Sequence, residues 1–531
     1  MILRVRRSLA VIVFFSVLTC RPAAATVSYR VSLDHPGDHL FHVTMTIPVE
    51  RRDVVTALPA WNALYRIGNF AYRVREVSGL CAGLTAVPLE VRLLDKQTWR
   101  FSLPGPCQPG GHNSFQIRYA IAWDDPGPFN SQLNSHHAFM NLAEILMYLP
   151  DRRAEDTSVT FDDLPAGWRT AAELGAPKEN GYAASSYDAL VDAPVEAGKF
   201  EEFEFTESGA HFRVIVDAGS WSKNNLEYAL QRITHYELQL MGGPPPFDPP
   251  NQEYTFFFHL SPDGDSEGGG MEHRNSTAIA TTSVEKAAAV AAHEFFHVWN
   301  VKRIRPQALE PVDYAKEQPT RALWFAEGVT STYASFTLER TGLWSKNQFY
   351  ADIAYQIAAL QSRPARLWQS VEESSFDAWF EKYDAYNAPD RSISYYNKGQ
   401  LLGDLLDLAI RDATDNHKSL DDVLRRMYDE YPRQGKFYDE SNGIRAAVEE
   451  VSGKSFEDFF RRYVAGTDEL PYNDFLAVAG LQLNMPAAGA SGQDERLESG
   501  GVTISEIPHA TDRQRRIREG FLRGTTERNG D

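Results

Sequence analysis

Cysteine, long apolar runs and positive charge are all scarce in this chain of 531 residues. Three cysteines are too few for a disulfide-dense scaffold. The longest apolar stretch runs over residues 9–20 and is too short to span a bilayer. Lysine and arginine together number 53 against 72 acidic residues, which gives a formal net charge of −19. A chain this acidic is not expected to bind nucleic acid or an anionic membrane surface.

The chain is long enough and apolar enough to form more than one folded domain. A single hydrophobic core stops growing beyond about 250–300 residues, so two or three domains are expected. Hydrophobic residues make up 43% of the chain and aromatic residues 12%, values that are typical of folded proteins and not of disordered ones.

The first 25 residues predict a signal peptide. Three arginines precede the apolar stretch, and the alanine run at 23–25 supplies the small residues of a cleavage site. We therefore expect a leader over residues 1–25, export to the periplasm or out of the cell, and no transmembrane anchor after the leader is removed. Lipoprotein anchoring through Cys20 is the less favoured alternative, because Thr19 is a poor match to the small residue that such sites prefer.

Cys81 and Cys107 are the two cysteines outside this leader. In an exported chain, such a pair predicts a disulfide bond. The alternative is that both are reduced, buried thiols.

Three segments of different character follow the leader. Residues 26–198 contain runs such as "HLFHVTMTI" and "SFQIRYAIAW" between turns rich in proline and glycine, and they predict a β-rich domain. Residues 199–483 change to helical spacing, with one strand at "EYTFFFHLS", and predict a mainly helical domain. Residues 484–531 are predicted to be a flexible tail, although "GGVTISEI" is compatible with one strand. The predicted fold class is multidomain α+β.

The stretch "VAAHEFFHVWNVKR" places His293, Glu294 and His297 on an otherwise apolar helix. Residues i and i+4 share one face of a helix, so both imidazoles can reach one metal ion with the glutamate beside it. Burying three such groups without partners would cost several kcal/mol, and a metal ion would compensate. The alternative is a pair of core histidines whose ring nitrogens are satisfied by backbone carbonyls.

A catalytic zinc site normally has three protein ligands and one open position, so a third ligand is needed. The metzincin pattern is excluded, because Arg303 occupies the place of its third histidine. Glu310, Glu317 and Glu327 are candidates. Glu317 lies in the polar loop "KEQPT", whereas Glu327 lies in the apolar helix "RALWFAEGVTSTYASF", where a buried acid needs a charge partner. Glu327 is therefore favoured.

Four motifs together resemble the glycyl aminopeptidase family of zinc metallopeptidases, which is related to aminopeptidase N. They are "GGGMEHRNS", "HEFFHVWNVKRIRP", "LWFAEGVTSTYASF" and "YYNKGQLLGDLLDLA", and the resemblance extends from about residue 28 to residue 483. It implies an N-terminal β-rich domain followed by a thermolysin-like catalytic domain. It also implies one Zn²⁺ per chain, held by His293, His297 and Glu327. Glu294 would be the base that activates a metal-bound water, a role that its place beside the metal supports.

The same resemblance assigns two further roles. The glutamate of the glycine-rich motif, Glu272, would hold the free α-amine of a peptide, and Gly269 and Gly270 would let the backbone lie close to that substrate. The alternative for this motif is a flexible loop with a solvent-facing glutamate. Tyr396 would stabilise the oxyanion of the tetrahedral intermediate, whereas Tyr395 fits better as a core aromatic.

The predicted function is a zinc-dependent aminopeptidase that removes N-terminal glycine or alanine, a preference that the resemblance alone implies. A zinc endopeptidase and an inactive, peptidase-like binding protein are the alternatives. Ligand type does not exclude Mn²⁺ or Co²⁺, and the sequence does not specify an oligomeric state. Two departures from the family are visible: "LPAWNALYRIGNF" lacks the usual Pro-Gly-Ser step, and too few residues follow Leu483 for the complete PDZ domain that members commonly carry.

Overall fold

A computed structural model describes residues 27–62, 64–82, 86–103, 113–218, 221–247, 253–260, 268–381, 388–485 and 501–524. The predicted leader, with Cys20, lies outside the described residues, and so does Cys107. Cys81 is buried and disulfide-bonded. Within the described part of the chain, no helix is both long and apolar enough to cross a membrane.

The N-terminal region is built almost entirely of strands. In β1, for example, Val27, Tyr29 and Val31 are buried and alternate with more exposed residues, as expected for a sheet with one face on a core. Its elements are β1 (Val27–Ser32), β2 (Leu40–Pro48), β3 (Asp53–Ala57), β4 (Val74–Ala82), β5 (Val87–Pro88), β6 (Glu90–Asp95), β7 (Thr98–Ser102), β8 (Ser114–Ala122), β9 (Gln132–Leu133), β10 (His137–Met140), β11 (Thr157–Asp162), β12 (Arg169–Ala172), β13 (Gly181–Ala184), helix α1 (Tyr187–Val191) and β14 (Val195–Gly198).

These strands form three sheets around one core. The largest has the order β13-β11-β1-β2-β8-β4-β5, a second has the order β12-β14-β10-β9, and a third has the order β3-β7-β6. The predicted β-rich domain is therefore confirmed. The chain passes to a different sheet between Gly198 and Glu201.

The second region begins with a five-stranded sheet of order β15-β16-β17-β19-β18. Its central strand β17 is buried on both faces, as expected where helices cover a parallel sheet. The last strand, β18, is antiparallel and lies at the edge. The elements are β15 (Glu201–Glu207), β16 (Ala210–Ala218), helix α2 (Lys223–Leu240), β17 (Glu253–Leu260), β18 (Gly269–Glu272) and β19 (Ser276–Thr281).

Helices make up the rest of this region, which confirms the predicted change to a mainly helical domain. They are α3 (Val284–Phe296), a π-helical segment (Trp324–Val329), α4 (Thr330–Arg340), α5 (Lys346–Gln361), α6 (Val371–Phe376), α7 (Ala378–Glu381), α8 (Tyr395–Ala413), α9 (Leu420–Glu430), α10 (Glu440–Ser452), α11 (Glu457–Phe459), a second π-helical segment (Phe460–Val464) and α12 (Tyr472–Val478). Helix α3 packs against α4 and against the edge of the sheet.

The expectation of a flexible tail does not hold for residues 501–524. Strand β20 (Leu481–Asn484) pairs with β21 (Thr503–Glu506), in the segment where one strand was the alternative, and helix α13 (Asp512–Arg523) follows. The helix is mostly charged, but Ile517 and Phe521 are fully buried, and Phe521 contacts the rings of Phe336 and Phe349. Leu522 is buried as well. A few apolar side chains are enough to dock a capped helix, and the charged composition of the segment obscures them.

The π-helical segment Trp324–Val329 and helix α8 approach each other closely through two glycines. A Cβ on Gly328 would lie 2.5 Å from the Cα of Gly399. A Cβ on Gly399 would overlap the carbonyl oxygen of Trp324 and lie 2.9 Å from the Cα of Gly328. Only residues without a side chain allow this backbone contact, which sets the distance between the two segments.

We expect Gly399→Ala to lower the free energy of unfolding by about 1–3 kcal/mol, because the added methyl forces the two backbones apart. Gly37→Ala is the matched control, since no heavy atom lies within 4 Å of a Cβ at Gly37. Its effect should stay within about 0.5 kcal/mol. Urea unfolding of both variants tests this, and equal stability of the two would contradict the close contact.

Candidate active site

Helix α3 and the π-helical segment bring His293, His297 and Glu327 together. The Nε2 atoms of the two histidines lie 3.0 Å apart. The Oε2 atom of Glu327 lies 3.5 Å from Nε2 of His293 and 3.3 Å from Nε2 of His297. The two imidazoles face the carboxylate from consecutive turns of one helix, as their spacing predicts.

Both histidines are oriented by a hydrogen bond at the opposite ring nitrogen. Nδ1 of His297 lies 2.6 Å from the carbonyl oxygen of Asn300 and can donate to it. Nδ1 of His293 lies 3.3 Å from Oγ of Ser331, whose hydroxyl donates to the backbone oxygen of Glu327. With Nδ1 as the donor in each ring, the Nε2 lone pairs point toward Glu327. Two such lone pairs and one carboxylate oxygen within 3.5 Å of each other form a donor set for a cation.

The electrostatics of this cluster require a positive charge. Burial opposes the ionisation of Glu327, but His297 and His293 hold the pKa of this carboxyl well below its usual range. Burial also disfavours a charged His297, yet Glu327 raises the pKa of His297 to about 10. The cluster therefore favours a bound cation, either a proton or a metal ion.

Glu294 lies on the same helix with its side chain buried. Its Oε2 atom has no hydrogen-bond partner among the described residues. Burial raises the pKa of Glu294 well above its usual range, and the nearby carboxylates of Glu272 and Glu327 raise it further. An orphaned buried carboxylate beside two imidazoles and a third acid fits a divalent metal ion, and a His/His/Glu donor set is one that zinc uses.

The other two candidate ligands lie elsewhere. Glu310 forms an ion pair with Arg305 at 2.5 Å, and Glu317 is exposed in its loop. Glu327 is only 2% exposed and lies in the π-helical segment, a wider turn of backbone that is frequent at functional sites. The sequence pattern does not predict this π-helical turn.

Strand β18 places the glycine-rich motif against α3. A Cβ on Gly270 would overlap the carboxyl group of Glu294, with its Cδ atom only 2.5 Å away. Glu272 is 9% exposed, and ligand atoms of Glu272, Glu294 and His297 all lie within 4.8 Å of one another. The glycine motif is therefore an ordered edge strand with an inward-facing acid, and the alternative of a loop with a solvent-facing glutamate is wrong.

Tyr396 reaches the same place from the first turn of α8. The helix begins at Tyr395, and Ser394 caps it. The rings of Tyr396 and His293 have centroids 6.1 Å apart, and Tyr396 lines the cavity. Tyr395 is 2% exposed and stacks under Tyr396 at 4.8 Å, away from the cavity.

One cavity of about 420 Å³ is bordered by the predicted site residues, which are Gly269, Gly270, Glu272, His293, Glu294, His297, Glu327 and Tyr396. The N-terminal region contributes Tyr65 and Phe129, two lining residues to which the sequence analysis gives no role. Tyr65 lies within "LPAWNALYRIGNF", a motif that the sequence analysis quotes. Residue spacing gives no sign that this connection between β3 and β4 reaches the second domain. The other lining residues are Leu64, Ala289, Val290, Ser331, Ala334, Ser335, Leu338, Trp344 and Gln400.

Comparison with known families gives two matches. The M61 peptidase N-terminal domain matches residues 28–199, and M61 glycyl aminopeptidase matches residues 286–402. Together they account for more than half of the chain. Comparison with curated protein sequences gives no match.

Solved structures resemble the chain as well. An aminopeptidase N family protein from Idiomarina loihiensis is 23% identical over 86% of this chain and 79% of its own, with a TM-score of 0.79. This likeness shows a shared fold. An M1 zinc metallopeptidase from Deinococcus radiodurans is 17% identical over 84% of this chain and 94% of its own, with a TM-score of 0.48.

The chain has a β-rich domain followed by a helical domain with a buried His/His/Glu cluster, and two family models match it. These features define a peptidase of the metallo-aminopeptidase class. The chain belongs to the M61 glycyl aminopeptidase family.

We expect Gly270→Ala to lower kcat about 100-fold, because the added methyl displaces the carboxyl group of Glu294 by an ångström or more. Metal content should be unchanged, since no ligand atom moves. Gly268→Ala, directly before strand β18, is the matched control, because the nearest atom to a Cβ there is the carbonyl oxygen of Ala280 at 3.7 Å. Similar kcat values for the two variants in a peptide hydrolysis assay would contradict this geometry.

Proposed function

We propose that this protein is a zinc-dependent aminopeptidase that removes small N-terminal residues, glycine or alanine, from peptides. One observation carries the proposal: the carboxylate of Glu272 lies beside the His/His/Glu cluster and beside Glu294, inside the same cavity. A second buried negative charge next to a metal position matches the α-ammonium group of a peptide bound with its first carbonyl at the metal.

His293, His297 and Glu327 would hold one Zn²⁺ per chain. When bound, the ion would polarise the scissile carbonyl and lower the pKa of a water molecule. The hydrogen bonds at Nδ1 of each histidine keep both Nε2 atoms directed at that position, so the site is oriented before it is loaded.

Glu294 would act as the general base and then as the general acid. It projects into the cavity from the helix that also carries both histidines, next to the place where a water molecule attacks the carbonyl carbon. Its carboxylate would accept the proton of that water and return it to the nitrogen of the leaving amine. The contact with Gly270 limits the positions that this carboxyl can adopt.

Glu272 and the glycines would position the substrate. Strand β18 lies at the edge of its sheet, and both Gly269 and Gly270 line the cavity, so the backbone of a peptide can lie against this strand. Glu272 at the end of the strand would then receive the ammonium group. That contact would set cleavage after one residue and require a free N-terminus.

The cavity walls support a small first residue. A Cβ on Gly269 would lie 2.9 Å from the ring of Phe129, so this aromatic side chain closes the space above the strand. Tyr65 lines the same cavity. These two rings would leave less room for a large first side chain than for glycine or alanine.

Export would place this activity on peptides outside the cytoplasm. The basic, apolar and small-residue segments of residues 1–25 support removal of a leader and release of the rest of the chain. A zinc endopeptidase is the second candidate, and it is less consistent with an acid buried where the N-terminal extension of a longer substrate would have to pass.

Hydrolysis of Gly-, Ala- and Leu-p-nitroanilide by the chain without residues 1–25 tests the function. We expect the Gly or Ala substrate to be cleaved best and N-acetylation to abolish cleavage, because an acetylated nitrogen has no charge for Glu272. Glu294→Gln should lower kcat by about 10²–10⁴-fold while one zinc per chain remains at the site. Equal cleavage of acetylated and free substrates would establish an endopeptidase. Bound zinc without any turnover would establish a binding protein.

We expect Tyr396→Phe to lower kcat by about 10²–10³-fold with little change in KM, because the phenol would donate a hydrogen bond to charge that develops only in the transition state. Tyr395→Phe is the matched control on the adjacent, buried ring and should retain most of the activity. Greater loss of activity in the Tyr395 variant would reverse the assignment.

A further inference from the structure

A second cluster of histidines and acids lies between the two domains, away from the active site. It contains His137 of β10, Glu196 of β14, Asp217 of β16 and His259 of β17. The first two strands belong to the four-stranded sheet of the N-terminal region, and the other two belong to the five-stranded sheet of the second region. Four ligating side chains thus converge from four strands of two sheets.

The distances within the cluster suit a single metal ion. Nδ1 of His137 lies 3.0 Å from Oε1 of Glu196 and 3.2 Å from Oδ2 of Asp217. Nε2 of His259 lies 3.0 Å from Oε2 of Glu196. Ligand atoms of His137, Glu196 and His259 all lie within 4.8 Å of one another. Ligands at about 2.0–2.2 Å from a tetrahedral zinc ion lie about 3.3–3.6 Å apart, so these side chains would need only small shifts to bind one ion.

The ring of His137 is held in the orientation that a metal ligand needs. Its Nε2 atom lies 3.1 Å from Oε1 of Gln132, and donation to that oxygen leaves the Nδ1 lone pair directed at the two carboxylates. A hydrogen bond at the opposite ring nitrogen is the usual partner of a metal-bound histidine. The His293 and His297 rings are oriented in the same manner in the active site.

The cluster is mostly buried and is accessible to solvent on the side of Asp217. The side chains of Glu196 and His137 are 1% and 9% exposed, whereas that of Asp217 is 31% exposed and provides a path for an ion to enter. The ring of Phe139 packs against His259 at 4.7 Å, within a small apolar core that both sheets share. Two neutral imidazoles and two carboxylates carry a charge of −2, which a divalent ion balances.

We propose that His137, Glu196, Asp217 and His259 form a structural Zn²⁺ site that joins the N-terminal domain to the second domain. It would be a second ion per chain, in addition to the one that the sequence predicts. His137, Glu196 and His259 would supply three positions, and Asp217, 3.2 Å from Nδ1 of His137, would supply the fourth. With four protein ligands no position would be left for a substrate, which is the arrangement of structural zinc. Its contribution would be to domain attachment and not to chemistry.

The zinc content of the chain without residues 1–25 tests the proposal. After equilibration with buffered Zn²⁺ and removal of free metal, we expect inductively coupled plasma mass spectrometry to find two zinc ions per chain. The double variant His293→Ala, His297→Ala should retain one ion, and added Zn²⁺ should still raise its Tm. His259→Gln should also retain one ion and should cleave Gly- or Ala-p-nitroanilide as the parent does.

His259→Gln is chosen because an amide can still donate a hydrogen bond to Glu196, so the domain interface is preserved while a metal ligand is lost. His211→Gln is the matched control: His211 lies on strand β16 and faces Glu253 at 3.2 Å, outside the four-residue cluster. It should leave both ions in place.

One zinc per chain in the parent, together with none in the His293→Ala, His297→Ala variant, would overturn the proposal and identify the cluster as an ion-pair network. Two ions in the His259→Gln variant would overturn it as well. Failure of the aminopeptidase assay with two ions bound would contradict the proposed function and leave the structural site standing, so the two proposals fail separately.

Discussion

Buried negative charge around two histidines is the constraint on which the rest of this structure depends. Glu272, Glu294 and Glu327 converge on His293 and His297 in a cavity where few of these atoms reach solvent. Carboxylates brought this close in a low-dielectric interior repel each other, and a cation among them offsets part of the cost. The proposed metal position beside Glu294 therefore follows from charge balance as well as from ligand geometry.

The scaffold meets this constraint by very close backbone packing. The π-helical segment turns Glu327 toward helix α3, and the contact of Gly328 with Gly399 brings the first turn of α8, with Tyr396, to the same cavity. On the opposite side, Gly270 allows β18 to lie directly against Glu294. Each of these approaches depends on a missing side chain, so the site is held by sterics as much as by hydrogen bonds.

The N-terminal domain contributes residues to the wall of the active-site cavity. The side-chain amide of Asn62 donates to the backbone oxygen of Phe129 at 3.1 Å and to Glu144 at 3.1 Å. Glu144 in turn accepts from the backbone N–H of Ser131 at 2.6 Å. This buried network fixes the loop that presses Phe129 onto Gly269. A firm junction between the domains therefore matters for the cavity, and the cluster of His137, Glu196, Asp217 and His259 lies at that junction.

The sequence by itself determined the parts of this protein that depend on local spacing. The i, i+4 histidines, the apolar helix around Glu327, and the order of a β-rich region before a mainly helical one all follow from periodicity and from the cost of burying charge. Recognition of the family rested on the same local motifs.

Only the tertiary structure decided what depends on contacts between distant segments. It brought Phe129 and Tyr65 to the cavity, placed Glu272 within reach of Glu294, and assembled two histidines and two acids from strands that are far apart in the chain. It also docked the charged segment after residue 501 through Ile517, Phe521 and Leu522, which are too few to give a clear periodic pattern. Local spacing carries no information about such pairings, because they arise from how whole sheets and helices pack.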